Sequence, residues 1–339
     1  MLSVKASVAV EYIEDAIKAR LVPMVHGSPG VGKSSLVHQI AESFNLVLID
    51  LRLSQCDPTD LNGLPRVLDT DKATYTPMDT FPLSTDKLPA GKDGWLLFLD
   101  EFNSAPPAVQ KAAYKLTLDR MVGTKHLHKN VAIVCAGNLE TDGALVSPLS
   151  TANQSRLVHM ELHVDHKDWL EWAQSNDIDY RITAYINFRP SCLQKFDPDH
   201  SDRTFACPRT WEFTSRLISL WDGEIPSSKI NLLAGTLSEG VAREFVNFSK
   251  VFLDLPTVSS IASNPSVAHL PEEPSTLYAM SAVLADNITQ DTVTPFLEYV
   301  DRMPKEFQII TIREMSRRYP EIETSPRFVN KVAEIATYL

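Results

Sequence analysis

The run Gly27-Ser28-Pro29-Gly30-Val31-Gly32-Lys33-Ser34 has the spacing G-x-x-x-x-G-K-[ST], that of a loop built to wrap nucleotide phosphates. Its glycines let successive backbone N–H groups turn inward as a concave anion nest with no Cβ in the way. Lys33 would set a point charge on the β- and γ-phosphates, and the Ser34 hydroxyl can ligate Mg²⁺. Gly27, Pro29, Gly30, Val31, Gly32, Lys33, Ser34 and Ser35 are therefore the expected nucleotide-binding residues. A chance match in an unrelated loop is the alternative. The flanks argue against it: Pro23–His26 reads as a short strand before the loop, and Leu36–Ala41 as a helix after it. The helix N-terminus adds its dipole to the phosphate site.

Two more constellations follow. Trp95-Leu96-Leu97-Phe98-Leu99-Asp100-Glu101 is an apolar strand ending in two carboxylates. An acid at such a strand end can hold magnesium, the role expected of Asp100. Glu101 can accept a proton from water and aim the water at the γ-phosphorus, or it is only a solvated acid. Val131–Gly137 reads as a further strand, and Asn138 beyond it can orient water through its amide or simply cap the turn. Arg156 precedes a last strand, Leu157–Leu162. It is either a surface residue or an arginine that reaches a neighbouring subunit's nucleotide. His159, Glu161 and His163 would share one strand face, with His166 nearby. A solvated face or domain junction accounts for them better than a metal does.

The elements that must position these groups follow from patterning. Ala9–Arg20 carries apolar residues at helical spacing, and Pro23–His26, Leu46–Leu53, Trp95–Leu99, Val131–Ala136 and Leu157–Leu162 recur as strands. The third and fourth are continuous apolar runs, as parallel strands covered on both faces require. An open α/β sheet results, with a small hairpin or an irregular loop at Gly63–Leu68 and Ala73–Pro77. After Asp165 the pattern is helical, Trp169 and Trp172 have the spacing of a helical core, and Pro256–Pro274 reads as a loop between helical pieces. At 339 residues the chain suits two domains or one large domain with an appendage. No apolar run is long enough to span a membrane, and acids come too early for a signal peptide. Four scattered cysteines suggest reduced thiols in a cytoplasm. A net charge of −11 disfavours nucleic acid unless a local basic patch overrides it.

These residues resemble the AAA+ ATPases, and within them the MoxR-like group of bacteria and phages. The resemblance rests on the Gly27–Ser34 loop, Asp100–Gln110, Ala136-Gly137-Asn138 and Arg156. Ser54-Gln55, Asp57-Pro58 and Asp60–Pro65 look like the segment before that family's helix-2 insert, which favours the hairpin. Cys207-Pro208-Arg209-Thr210-Trp211-Glu212 resembles the start of a lid helix with its sensor-2 arginine, here Arg209. The motifs cover residues 20–220. One departure is Leu157, where relatives commonly have Phe. Arg120, in Leu118–Gly123, is a second candidate for an arginine acting in trans; Arg156 is preferred because it precedes the last strand at the subunit edge.

The resemblance implies an AAA+ P-loop αβα sandwich with a parallel sheet over residues 1–164. A helical lid would follow over 165–255, and a C-terminal helical segment over 256–339. It further implies ATP and Mg²⁺ at the interfaces of a hexameric ring, and remodelling of a protein partner, sometimes one with a von Willebrand factor A domain. The expected catalytic set is Glu101, Asn138, Arg156 and Arg209, with Ser34 and Asp100 on the metal. A small-molecule phosphate-loop kinase is a different class, against which the water-activating Glu101 argues. A nucleotide-gated DNA-processing module, such as a helicase loader or restriction motor, would need a basic stripe, against which the net charge argues.

Overall fold

The computed structural model describes residues 3–70, 72–143, 146–199, 202–221, 223–251 and 255–336. The chain divides into two compact units, Met1–Asp165 with Asp197–His200, and His166–Phe196 with Ser201–Leu339. In the first unit the order is β1 (Ser3–Val4), α1 (Ala6–Lys18), β2 (Pro23–His26), α2 (Lys33–Ser43), β3 (Leu46–Arg52), α3 (Pro58–Asn62), β4 (Leu64–Val67) and β5 (Ala73–Thr76). It continues with β6 (Gly94–Asp100), α4 (Pro107–Tyr114), β7 (Met121–Val122), β8 (Lys125–His126), β9 (Val131–Gly137), α5 (Thr151–Gln154) and β10 (Val158–Leu162). Six strands make one sheet in the order β1-β10-β2-β9-β6-β3, every pair parallel.

Alternation along each strand explains the continuous apolar runs. Leu96 and Phe98 of β6 join Val25, Ala136 and Met160 in a core completed by Ala9 and Ile13 of α1 and Val37 and Ile40 of α2. Leu97 and Leu99 join Met24, Ile133 and Cys135 in a second core with Phe102, Val109 and Ala113. With helices on both faces, successive residues are all buried, and each large side chain contributes about 1.5–3 kcal/mol. The helix expected at Ala9–Arg20 begins and ends slightly earlier, at Ala6–Lys18. The short β1 and the β7–β8 ribbon carry too few residues to show a period.

The hairpin forms, β4 pairing antiparallel with β5 from Leu64↔Thr76 to Val67↔Ala73. Asp71 in its connecting turn lies outside the described residues. Gly63 enters it at φ 86°, where a Cβ would stand 2.3 Å from the Thr76 carbonyl oxygen, so only glycine fits.

Among the described residues the regular elements of the second unit are helices: α6 (His166–Ser175), α7 (Tyr180–Phe188), α8 (Pro208–Ile218), α9 (Ile230–Leu237), α10 (Glu239–Val251), α11 (Val258–Ser263), α12 (Pro274–Asp286), α13 (Val293–Val300), α14 (Lys305–Arg318) and α15 (Pro326–Ala336). Trp211, Tyr185 and Phe245 interlock in it, and Trp169 is buried beside Trp172 with ring centroids 6.4 Å apart. The stretch Pro256–Pro274, expected as loop, contains α11. The Thr257 hydroxyl accepts the Ser260 N–H at 3.2 Å and Ile261 is fully buried, so a cap and one apolar anchor suffice for a short helix. Among the described residues no helix is long and apolar enough to cross a membrane.

Candidate functional site

The loop Gly27–Gly32 leaves the end of β2, and its first N–H donates to the Gly137 carbonyl of β9 at 3.2 Å. α2 opens at Lys33 behind Gly32, whose φ of 100° suits glycine and whose missing Cβ leaves open space. Gly32 supplies no capping oxygen, and the first turn of α2 has no acidic residue to offset the dipole. Such a helix start is suited to an anion. The Lys33 ammonium donates to the carbonyls of Gly27 (2.5 Å) and Ser28 (3.1 Å) and to Asn138 Oδ1 (3.0 Å). Pro29, Gly30 and Val31 form the loop's crest, with Gly30 also at positive φ, and Ser35 is exposed on the first turn.

Asp100, the last residue of β6, faces Ser34, whose hydroxyl donates to Asp100 Oδ2 at 3.4 Å. Asp50 on the neighbouring strand is held above the usual carboxylate range, first by burial and then by the charges of Asp100 and Glu101. An all-oxygen donor pair within a concentration of negative charge fits Mg²⁺, which keeps water and phosphate as its remaining ligands. Ser34 and Asp100 are the residues that would hold it.

Glu101 has left-handed backbone, φ 55° and ψ 35°, uncommon for a residue with a side chain. That turn takes it out of the strand's alternation, and the Ser54 hydroxyl, just past β3, donates to Glu101 Oε2. Asn138 is clamped by Asn103, which is 2 % exposed. The Asn103 amide donates to the Asn138 carbonyl at 2.8 Å and its Oδ1 accepts the Asn138 N–H at 3.1 Å. A Cβ at Gly137 would lie 2.4 Å from that same Oδ1, so the glycine is required by the clamp.

The structure thus brings Lys33, Ser34, Asp100, Glu101 and Asn138 together at the C-terminal ends of β2, β6 and β9, where open parallel sheets bind ligands. It does not bring Arg156 to them. Arg156 is exposed, its guanidinium 5.8 Å from the Tyr114 ring centroid, just after α5, which ends at Gln154. Arg209 is exposed at the second position of α8 in the other unit, behind Pro208 at the helix start as expected. Arg120 is used within the chain, donating to the Val131 carbonyl at the opposite end of β9 from Asn138.

Sequence reasoning did not single out Ser54, Asn103 or His26. Ser54 and Asn103 sat inside recognised stretches without a role, because their partners are set by strand order. His26 stacks on His159 with centroids 5.3 Å apart, and His26 Nε2 lies 3.0 Å from His159 Nδ1. Burial, then His159, then Lys33 push the His26 ring down to about 4. His159 Nε2 in turn lies 2.9 Å from the Gln154 carbonyl oxygen. β10 ends at Leu162, so His163 falls off the shared face and pairs with the Ser3 hydroxyl instead. No cluster of three metal-ligating side chains occurs among the described residues.

Residues 23–157 match the family model of the AAA domain, dynein-related subfamily. Among solved structures the chain is similar to NtrX from Brucella abortus in complex with ADP: 16 % identity, TM-score 0.40, covering 99 % of this chain and 68 % of that one. It is also similar to a DNA polymerase III gamma subunit-related protein from Thermotoga maritima (10 %, TM-score 0.37, 98 % and 91 % covered). A RuvB variant from the same organism gives 14 % and 0.33, with 95 % and 84 % covered. Likeness at this level bears on neither substrate nor partner. The match over residues 23–157, to an AAA domain, coincides with the stretch that builds the phosphate loop and its facing acids, and it supports ATPase activity.

Proposed function

We propose that this chain is a magnesium-dependent AAA+ motor of the MoxR-like type, a hexameric ring that remodels a protein partner in a chaperone-like manner. The observation that carries the reading is the single constellation of Lys33, Ser34, Asp100, Glu101 and Asn138 at one end of the sheet. Lys33, now on backbone carbonyls and Asn138, is placed to exchange those acceptors for β- and γ-phosphate oxygens. Glu101, held by Ser54, accepts a proton from the attacking water, and Asn138, held by Asn103, orients that water by its amide. The γ-phosphoryl group passes to the water oxygen and ADP leaves. Magnesium, when bound by Ser34 and Asp100, offsets the phosphate charge. Arg156 from a neighbouring copy and Arg209 from the same copy add charge stabilisation to the transferring group.

A ring would explain the exposure of Arg156, which meets no phosphate loop within its own chain. The free cysteines, of which Cys135, Cys192 and Cys207 are buried, suit a reducing cytoplasm. A partner with a von Willebrand factor A domain follows only from the family resemblance. Glu101→Gln tests the chemistry, and is expected to bind ATP as the wild type does while hydrolysis stops. Wild-type turnover in that variant overturns the assignment. Light scattering in ATP tests the ring, and a monomeric mass overturns it.

A further inference from the structure

A cavity lies in the first unit, at the N-terminal end of β9 and therefore remote from the phosphate loop. It has a volume of about 520 Å³, and its lining includes apolar Ile17, Leu21 and Phe44 and cationic Arg20, Arg120 and Lys129. Val131 of its wall begins β9 and Asn138 of the phosphate site follows the strand's other end, about 20 Å away at strand rise. Arg120 is half-buried in left-handed backbone, φ 53°, and its guanidinium donates to the Val131 carbonyl. Arg20 also has left-handed backbone, φ 59°.

Both arginines line the cavity, near enough for the charge of Arg20 to act on Arg120. Burial, and then the charge of Arg20, holds the Arg120 guanidinium below its ordinary value. Asp93 and Asp119 also line the cavity, and Asp93 accepts from the Asn45 amide at 3.2 Å. Among the described residues neither arginine forms an ion pair with them. Lys18, also on the wall, is occupied by Glu14 and Asp15. The half-buried Arg120 guanidinium is repelled by the charge of exposed Arg20 on the same cavity wall, and an anion that both can grip in bidentate fashion removes the repulsion.

We propose that this cavity is a second anion site, taking a small phosphate monoester whose organic body rests on Ile17, Leu21 and Phe44. The volume is that of a small-molecule site, with apolar walls and a few convergent polar groups. A net charge of −11 over the chain favours a small anion over a polyanion at a groove this short. The phosphate sits between Arg20 and Arg120, with Lys129 and His126 at the rim.

Equilibrium dialysis of phenyl phosphate against the full chain, with ADP and magnesium in excess to fill the phosphate loop, tests this. One equivalent is expected to bind, and phenol at the same concentration is expected not to. Arg20→Glu and Lys129→Glu alter exposed side chains, so they keep the test valid if Arg120→Ala fails to fold. Arg20→Glu is expected to weaken binding at least about tenfold, the loss of one charge-assisted contact. No bound phenyl phosphate, or affinity unchanged in both variants, overturns the proposal. Either result leaves the ATPase reading intact, because neither variant touches the phosphate loop.

Discussion

Acidification should open the central sheet through His26. The ring lies on β2 against His159, and burial, with His159 and Lys33 beside it, lowers it from 6.5 to about 4. The folded value is below the unfolded one, so between them the unfolded chain binds more protons. Stability from the neutral ring is therefore complete above about pH 6.5 and is lost as pH falls toward 4. Linkage gives a loss of about 2 kcal/mol at about pH 5 for a ring fully shielded from solvent. His26 is half-buried, so screening reduces this to about 1 kcal/mol, or about fivefold in the opening equilibrium. The assay is hydrogen exchange of β2 and β9 amides at about pH 7.5 and about pH 5, corrected for intrinsic rates, in wild type and His26→Gln. Wild type should lose about fivefold more protection than the variant. Equal losses in the two proteins would refute the assignment of the pH dependence to this ring.

Three further outcomes are expected. Lys33→Ala should lose most nucleotide affinity, since the backbone nest alone does not offset the triphosphate charge; titration with a fluorescent ATP analogue reads it, and unchanged affinity removes the loop from the site. Arg156→Ala should bind ATP normally and hydrolyse it about 10³-fold more slowly. Mixing it with Lys33→Ala chains should restore part of the rate, and strictly additive loss counts against a shared site. Gly137→Ala should cost about 1–3 kcal/mol as its Cβ displaces Asn103. Turnover in that variant should fall more than ATP affinity, and a wild-type rate would show that the clamp on Asn138 is dispensable.

The phosphate loop, the acid pair and the succession of the main strands along the chain were legible in the residues because each is local. A glycine pattern, a run of apolar residues and a terminal carboxylate lie within a few positions of one another. Burial on both faces of β6 and β9 was equally legible, since a parallel strand between two helical layers leaves no position for a polar residue. The hairpin was half-legible, and its decisive signal, Gly63 against the Thr76 carbonyl, belongs to a pair 13 residues apart in the chain. Tertiary structure alone decided which side chains hold the chemistry in place. Ser54 reaches Glu101, Asn103 grips Asn138 and His26 meets His159 because β3 lies beside β6, β9 beside β6 and β10 beside β2. Strand neighbours are chosen by the collective burial of two faces, a property of the whole sheet. No window of sequence contains it, whereas the loop that binds phosphate needs only its own eight residues.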